Sequence, residues 1–360
     1  MKIAIVMGTR PEIIKLAPII KKLPKSSSTI IFTGQHYDYK MSLQFINQLG
    51  IRNPDYKMKL TKLQNTTTDR ATQIGEIMIK LAKIFTKINP DTVIVQGDTN
   101  TVLSSAISSI KCNIPVSHVE AGLRSYDWRM PEEHNRVAVD HISEFLFAPT
   151  QLNKTTLTKE RVHGKIFVTG NTSIDAVCEN IKQVKKMKTI SDDFDDFVLL
   201  TLHRGENVDD RNTLSGIISG LINSKTKIVF PLHPRTLKKL KQFSLYRKLV
   251  DSKNITILPP VGYFDMLYLM KKCNLIVTDS GGIQEETTAP PIRKKVLLLR
   301  TSTERIEAVK TGFVEIMGVN PSKITSSIRK NFDNPIKLSK NPYGSGKTSQ
   351  KIIEILKKNF

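Results

Sequence analysis

Short β-branched and aliphatic runs alternate with stretches of helical periodicity along the whole 360-residue chain, and that alternation constrains the fold most. The spacing predicts strands at Lys2–Gly8, Thr29–Gly34, Thr92–Gly97, Pro115–Glu120, Phe145–Pro149 and Ile166–Gly170. A second series follows at Phe197–His203, Lys227–His233, Ile255–Pro259, Leu275–Ser280 and Val296–Arg300. Most are nearly continuous apolar runs, as expected of parallel strands covered on both faces. Between them, Pro11–Leu23 sets Ile13, Ile14, Leu16, Ala17, Ile19 and Ile20 at helical spacing, and Pro11 suits a first-turn position that needs no backbone donor. Asp69–Lys87, Asn171–Lys185, Asn207–Leu221 and Tyr263–Lys272 read the same way. Strand and helix in alternation imply α/β units with right-handed crossovers.

The series breaks near residues 170–196, where a polar stretch runs through Gln183–Lys188 and Ser191–Asp196. With roughly 100–200 residues per domain as the usual size, the expectation is two doubly wound, Rossmann-like domains, 1–170 and 171–342. The amphipathic Ser349–Lys357, within residues 343–360, is expected to pack back on the first domain.

Several classes are excluded. No apolar run approaches the ~18 residues of a membrane span. The five-residue run Ile3–Met7 is shorter than the ~7–15 apolar residues of a signal peptide, so a cytoplasmic protein is expected. Cys112, Cys178 and Cys273 lie far apart with no CxxC, which suggests neither a disulfide framework nor a zinc site. The formal net charge of +22 favours anionic partners. Residues 1–180 hold 23 basic against 16 acidic side chains and residues 181–360 hold 32 against 17, yet the lysines are scattered. No zinc-finger or helix-turn-helix signature accompanies them, and aromatics make up only 6%, so a basic nucleic-acid-binding protein is the weaker alternative.

In open α/β sheets, ligands bind outside the carboxyl ends of the strands. Those ends carry Gly8-Thr9-Arg10, Gly34-Gln35-His36, Gly97-Asp98-Thr99 and His118-Val119-Glu120 in the first domain, and His203-Arg204, His233-Pro234 and Asp279-Ser280-Gly281-Gly282 in the second. So many polar strand ends exceed the needs of capping and favour a site in a cleft between two facing domains. There is no GxGxxG and no Walker lysine motif. Arg10, with Lys15 one turn on, reads as a phosphate partner or a surface arginine with even weight. Ser280, Gly281 and Gly282 let a backbone approach an anion closely at a helix start, and Glu286 on the same helix suits a ribose diol. The alternative there is a plain N-cap and a solvated acidic turn. Asp98, Glu120, Glu132 and Glu133 are carboxylates that, crowded together, become usable as acids or bases near neutrality. Salt bridging with Arg124 and Arg136 is their bland alternative.

Taken together these residues resemble the non-hydrolysing UDP-N-acetylglucosamine 2-epimerases. The likeness runs through GTRPEIIKLAP (8–18), TGQH (33–36), QGDTNT (96–101), HVEAGLR (118–124), PEEHNR (131–136), TGNTSID (169–175), HRGEN (203–207), TDSGGIQEE (278–286), TERIEAV (303–309) and NPYGSG (341–346). The resemblance implies two Rossmann-like domains of the glycosyltransferase-B type and interconversion of UDP-N-acetylglucosamine and UDP-N-acetylmannosamine. The implied route is loss of UDP, a 2-acetamidoglucal intermediate and re-addition inverted at C2, with neither NAD nor a metal in the chemistry. It also implies a homodimer and a place in cell-envelope polysaccharide synthesis. Carried over by motif, Asp98, Glu120 and Glu132 are acid/base candidates. His203 and Arg10 stabilise the diphosphate with Ser280, Gly281 and Gly282. Glu286 binds ribose, Arg305 serves the phosphates or cleft closure, and Lys15 binds the substrate. The sequence departs from the family pattern at Ala289–Lys295, at Arg305-Ile306, at Gly205 and at Arg235, and none of these removes a candidate group.

Overall fold

The computed structural model describes residues 1–34, 45–61, 67–184, 195–332 and 340–360. Gln35, His36 and most of the expected polar connection, residues 185–194, lie outside them. The chain forms two compact units, Met1–Ala176 with Tyr343–Phe360, and Val177–Pro342.

The first unit is built on a seven-stranded parallel sheet of Ile3–Met7 (β1), Ser28–Phe32 (β2), Tyr56–Lys57 (β3), Thr92–Gln96 (β4), Val116–Val119 (β5), Phe145–Ala148 (β6) and Lys165–Val168 (β7). Its order is β3-β2-β1-β4-β5-β6-β7. The register aligns Ile3 with Ser28 on one side and Thr92 on the other, and Val93 with Val116. β1, β4, β5 and β6 are buried along their whole length, which is why their sequences show apolar runs without alternation. The strand order reverses between β1 and β4, so the turns that follow these strands diverge and leave space at the sheet's carboxyl edge.

The second unit carries six parallel strands, Val198–Thr201 (β8), Ile228–Pro231 (β9), Ile255–Leu258 (β10), Leu275–Thr278 (β11), Lys295–Leu298 (β12) and Val314–Ile316 (β13). Their order is β10-β9-β8-β11-β12-β13, with the reversal between β8 and β11. Two parallel sheets with alternating helices make this the α/β class that the strand–helix alternation predicts.

The differences from expectation have local causes. β3 and β13 were not expected from the sequence. Each is an edge strand of two or three residues with only one covered flank, so neither carries an apolar run. The stretch Asn207–Leu221 divides into helices Gly205–Val208 and Arg211–Asn223. Asp210 starts the second helix afresh, its carboxylate accepting the Thr213 N–H at 2.7 Å. The stretch Asn171–Lys185 is helical at Thr172–Asn180 and tightens to a 3-10 turn at Ile181–Gln183.

The last helix, Thr348–Asn359, belongs to the first unit and packs on the helix Arg10–Lys22 through buried Ile352, Ile353 and Leu356. Its start has no cap of its own. Asp175, fully buried, supplies one from a distant part of the chain and accepts Thr348 N at 3.1 Å, Ser349 N at 2.7 Å and Ser349 Oγ at 2.6 Å. Gly170 (φ +101°) lets the two segments meet, because a Cβ there would stand 2.5 Å from Thr348 Oγ1 and 2.8 Å from the Tyr343 carbonyl. Asp175→Ala should lower the unfolding free energy by about 2–4 kcal/mol, since it strands two buried N–H groups and a hydroxyl. A urea midpoint that falls, with early loss of amide protection in residues 348–359, is the expected result, and an unchanged midpoint contradicts it.

Candidate active site

In the first unit the turns after β1, β4 and β5 are tied together from beneath. Glu12 lies in the first turn of the helix after β1 and is buried. Its carboxylate accepts the Gly8 N–H at 2.6 Å, the Thr9 hydroxyl at 2.8 Å and the Thr99 hydroxyl at 2.7 Å. One side chain therefore joins the turn bearing Arg10 to the turn bearing Asp98. Burial outweighs these hydrogen bonds and pushes the Glu12 carboxyl up to about 7. Gly8 admits this close packing, because a Cβ there would stand 2.2 Å from Thr101 Oγ1 and 2.3 Å from Thr33 Oγ1.

One turn beyond, Lys15 is buried and its ammonium pairs with Glu120 at the end of β5. Gln96 at the end of β4 donates to the same carboxylate oxygen at 2.8 Å. Glu120 holds a left-handed backbone conformation at φ +73°, which an L side chain adopts at a cost of about 1–3 kcal/mol. The carbonyl of Phe147 on β6 accepts both the Glu120 and the Ala121 N–H, at 3.1 and 3.2 Å, and holds that conformation in place. The charged carboxylate thus faces the ends of β1 and β4 instead of continuing along the strand.

Asp98 follows Gly97 (φ +83°) and remains half-buried, with its side chain 30% exposed and paired to Arg136. Two contacts fix its backbone: Asn135 Nδ2 donates to the Asp98 carbonyl at 2.8 Å, and His118 Nε2 lies 2.9 Å from the Gly97 carbonyl. His118 Nδ1 is in turn 2.7 Å from Asp140, which also pairs with Arg124 at 2.7 Å and accepts the Gly122 N–H at 3.1 Å. Burial alone would raise the Asp140 carboxyl, but the charges and hydrogen bonds of His118 and Arg124 prevail and hold it below the usual carboxylate range.

The neighbours Glu132 and Glu133 are separated by helical geometry at the start of Pro131–Ile142. Glu133 is fully buried and accepts the N–H groups of Ser125 and Tyr126, at 3.0 and 2.8 Å, and the Arg136 guanidinium at 2.8 Å. Those contacts overcome the effect of burial and keep its carboxyl low. Glu132 is exposed, as is Arg10. Arg136 joins Asp98 to Glu133, so the expected salt bridging of Arg136 is present and serves the turn that carries Asp98.

In the second unit one carboxylate organises the strand ends. Asp279 is fully buried after β11 and accepts the His203 N–H at 3.0 Å, the Arg204 N–H at 2.9 Å and Asn207 Nδ2 at 3.2 Å. His203 Nδ1 lies 3.2 Å from the other oxygen, while the ring stays 39% exposed. The His233 ring is 5.4 Å away, and burial together with the His203 charge pushes its pKa down. Ser280 precedes the helix Gly281–Glu286 without capping it, and its N–H donates to Thr278 Oγ1 at 2.9 Å. A Cβ on Gly281 would stand 2.9 Å from Arg305 Nη1, whereas one on Gly282 would meet nothing within 4 Å. Arg305 is buried on Glu285 at 2.8 Å and on Glu304. Glu304 also takes Arg300 at 3.0 Å, and the two arginines hold its carboxyl far below the usual range against the effect of burial. Glu286 is half-buried, and its charge adds to burial in raising the Tyr263 hydroxyl.

Asp98, Glu120, Lys15 and Arg10 thus gather at the carboxyl edge of the first sheet. His203, Ser280, Gly281 and Gly282 gather at that of the second, with Arg305 against Gly281. Among the described residues, no three His, Cys, Asp or Glu side chains are placed to hold a metal ion. The arrangement is suited to proton transfer on one sheet edge and to holding a polyanion on the other. Sequence reasoning missed Glu12, Asp140 and Asp279 as organising groups. The local signals were weak: Glu12 lies in the first turn after a strand, as in many ordinary helix starts, Asp279 is one of many polar strand ends, and Asp140 sits late in its helix.

The family model described as UDP-N-acetylglucosamine 2-epimerase matches residues 19–357. The UDP-N-acetylglucosamine 2-epimerase of Methanocaldococcus jannaschii is 43% identical over 99% of this chain and 99% of that protein. Its crystal structure in complex with UDP-GlcNAc and UDP superposes with a TM-score of 0.88, at 42% identity over 99% of this chain and all of that one. The Neisseria meningitidis UDP-GlcNAc 2-epimerase bound to UDP-GlcNAc also gives 0.88, at 33% identity over the full length of both chains. A Pseudomonas aeruginosa UDP-2,3-diacetamido-2,3-dideoxy-D-glucuronate 2-epimerase is 34% identical over 99% of this chain and all of that protein.

The Glu12 carboxyl gives a stability signature. Its value of about 7 in the folded state exceeds the ordinary 4.5, so the native state keeps a proton that the unfolded chain releases. The resulting stabilisation is complete below 4.5 and lost as pH rises through 7. Glu12→Gln removes this dependence. The unfolding free energy of the variant relative to wild type should therefore rise by about 3 kcal/mol between acid and mildly alkaline pH. Parallel stability–pH curves contradict the assignment.

Proposed function

This chain belongs to the UDP-N-acetylglucosamine 2-epimerase family, and we propose on that basis that it interconverts UDP-N-acetylglucosamine and UDP-N-acetylmannosamine without net hydrolysis. The observation that carries the reading is the placement of Asp98 and Glu120 at the ends of the adjacent strands β4 and β5, beside the Arg10 and Lys15 turn after β1. That is the edge where an α/β sheet binds its ligand.

The chemistry requires such a set of groups. The sugar's C2 proton is not acidic, because no carbonyl is attached to C2. As the C1–O bond to UDP breaks, C1 gains oxocarbenium character and the C2 proton becomes removable. A base takes that proton, the C2–H electron pair becomes the C1=C2 double bond of a 2-acetamidoglucal, and UDP leaves with the C1–O pair. For the return, UDP oxygen adds to C1 while a proton arrives on the opposite face of C2. Two proton-transfer groups are needed, one for each face, and they are drawn from Asp98, Glu120 and Glu132. Lys15 contacts the substrate, and Arg10 faces the charge that develops on UDP. In the second unit His203, Ser280, Gly281 and Gly282 hold the diphosphate, with Arg305 against Gly281, and Glu286 holds the ribose. The enzyme acts as a cytoplasmic homodimer. No helix among the described residues is long and apolar enough to cross a membrane.

In heavy water the enzyme should place deuterium at C2 of both nucleotide sugars, followed by loss of the C2 proton signal in NMR. Free UDP accumulating in step with the products would instead identify a hydrolase. Asp98→Asn, Glu120→Gln and His203→Ala should each reduce turnover by ~10²-fold or more. Turnover near wild type in all three overturns the site assignment.

A further inference from the structure

His118 and Arg124 are the two polar residues of the HVEAGLR segment (118–124) left without a part in the reaction. Both are buried, and both meet Asp140 in the helix Pro131–Ile142. His118 lies on β5 beside Val95 of β4, and its ring is 1% exposed. Its Nδ1 stands 2.7 Å from Asp140 Oδ1, and its Nε2 stands 2.9 Å from the Gly97 carbonyl. Neither partner can donate. The Asp140 carboxylate is ionised, since its second oxygen takes the Arg124 guanidinium at 2.7 Å and the Gly122 N–H at 3.1 Å, and a carbonyl only accepts. A neutral imidazole has one N–H and one bare lone pair, so it would leave one of these buried oxygens facing a lone pair. Only the doubly protonated ring satisfies both. The neighbouring charges accommodate it: Arg124 also pairs with Glu160 at 2.6 Å, so two cations meet two carboxylates. The other carboxylates near β5 are engaged elsewhere, Asp98 and Glu133 with Arg136 and Glu120 with Lys15.

We propose that His118 is a buried imidazolium and the positioning residue for Asp98, its Nε2–H clamping the Gly97 carbonyl behind the reacting carboxylate. That carbonyl belongs to the peptide group that joins Gly97 to Asp98, so holding it fixes the direction in which the Asp98 side chain leaves the turn. Gly97 sits at φ +83° and, as glycine, has other backbone wells within reach. Two bonds to β5 deny them: the Gly97 N–H donates to the Val119 carbonyl at 3.2 Å, and its carbonyl accepts from His118. A cationic donor makes the second bond the stronger kind. The effect on turnover rests on the nucleotide-sugar reading above; the charge of His118 rests on its two contacts alone.

Nitrogen-15 NMR of histidine-labelled wild type at neutral pH reads the charge, with the His118 signals identified by their loss from either His118→Asn or His118→Gln. Both ring nitrogens should carry protons, and one protonated beside one bare nitrogen overturns the proposal. The same two variants read the positioning. Asparagine puts its amide where Nδ1 stands and keeps the Asp140 contact, whereas glutamine reaches the place of Nε2 and keeps the Gly97 contact. Thermal melts confirm that they fold. With UDP-N-acetylglucosamine as substrate, kcat should fall about tenfold or more in His118→Asn and by less in His118→Gln. KM and calorimetric UDP binding should stay near wild type in both. Equal kcat losses in the two variants, or a loss carried by KM, overturns the positioning role. A doubly protonated His118 in a wild-type protein that neither binds UDP nor epimerises would sustain the imidazolium and refute the nucleotide-sugar reading.

Discussion

A carboxylate taken out of water must be surrounded by donors, and here many of those donors are backbone N–H groups of strand-end turns. Parallel strands all end at one edge of the sheet, where the chain bends sharply and its N–H groups lose their ladder partners. Glu12, Glu133 and Asp140 accept such groups in the first unit, and Asp279 does so in the second. The arrangement is mutual, because each turn N–H finds an acceptor in the carboxylate it meets and each carboxylate gains a donor there, beside Arg136 at Glu133 and beside His118 and Arg124 at Asp140. Losing one partner leaves charged or polar atoms buried without a match, a larger penalty than the hydrogen bonds themselves contribute.

The acidic residues of the first unit consequently fall into two groups. Glu12, Glu133 and Asp140 are buried and hold turns. Asp98 and Glu132 remain accessible to a ligand, and Glu120 is presented toward Lys15 by its left-handed backbone. Glu132 and Glu133 show how little sequence separates these uses, since a single step around a helix moves the side chain from solvent to the interior. Arg136 connects the groups, with one side of its fork on Asp98 and the other on Glu133. The Ser125–Tyr126 loop that Glu133 clasps and the Asp98 side chain thus share one guanidinium.

The sheets were legible in the sequence because strands covered on both faces leave nearly unbroken apolar runs, as β4 and β11 do. β3 and β13 were not, because an edge strand of two or three residues needs no such run. The strand-end positions of Asp98, Glu120, His203 and Ser280 follow directly from where those runs stop. What periodicity cannot show is which carboxylate turns inward. The contact of Glu12 with Thr99 spans 87 residues, that of His118 with Asp140 spans 22, and that of Asp279 with the His203 N–H spans 76. Such pairings depend on strand order, and strand order is set by packing between helices and sheet. The net charge of +22 pointed toward a polyanion. At the site it reduces to a few placed cations among many lysines spread over the rest of the chain.

In the proposed reaction UDP leaves C1 and returns to it between loss and regain of the C2 proton. Positional isotope exchange tests this directly, using UDP-N-acetylglucosamine with oxygen-18 in the bridge between C1 and the β-phosphate. Elimination frees that oxygen to rotate among the phosphate positions before re-addition. The label should therefore scramble into non-bridging positions while C2 epimerises. Epimerisation at C2 with the label retained wholly in the bridge would contradict release of UDP from C1.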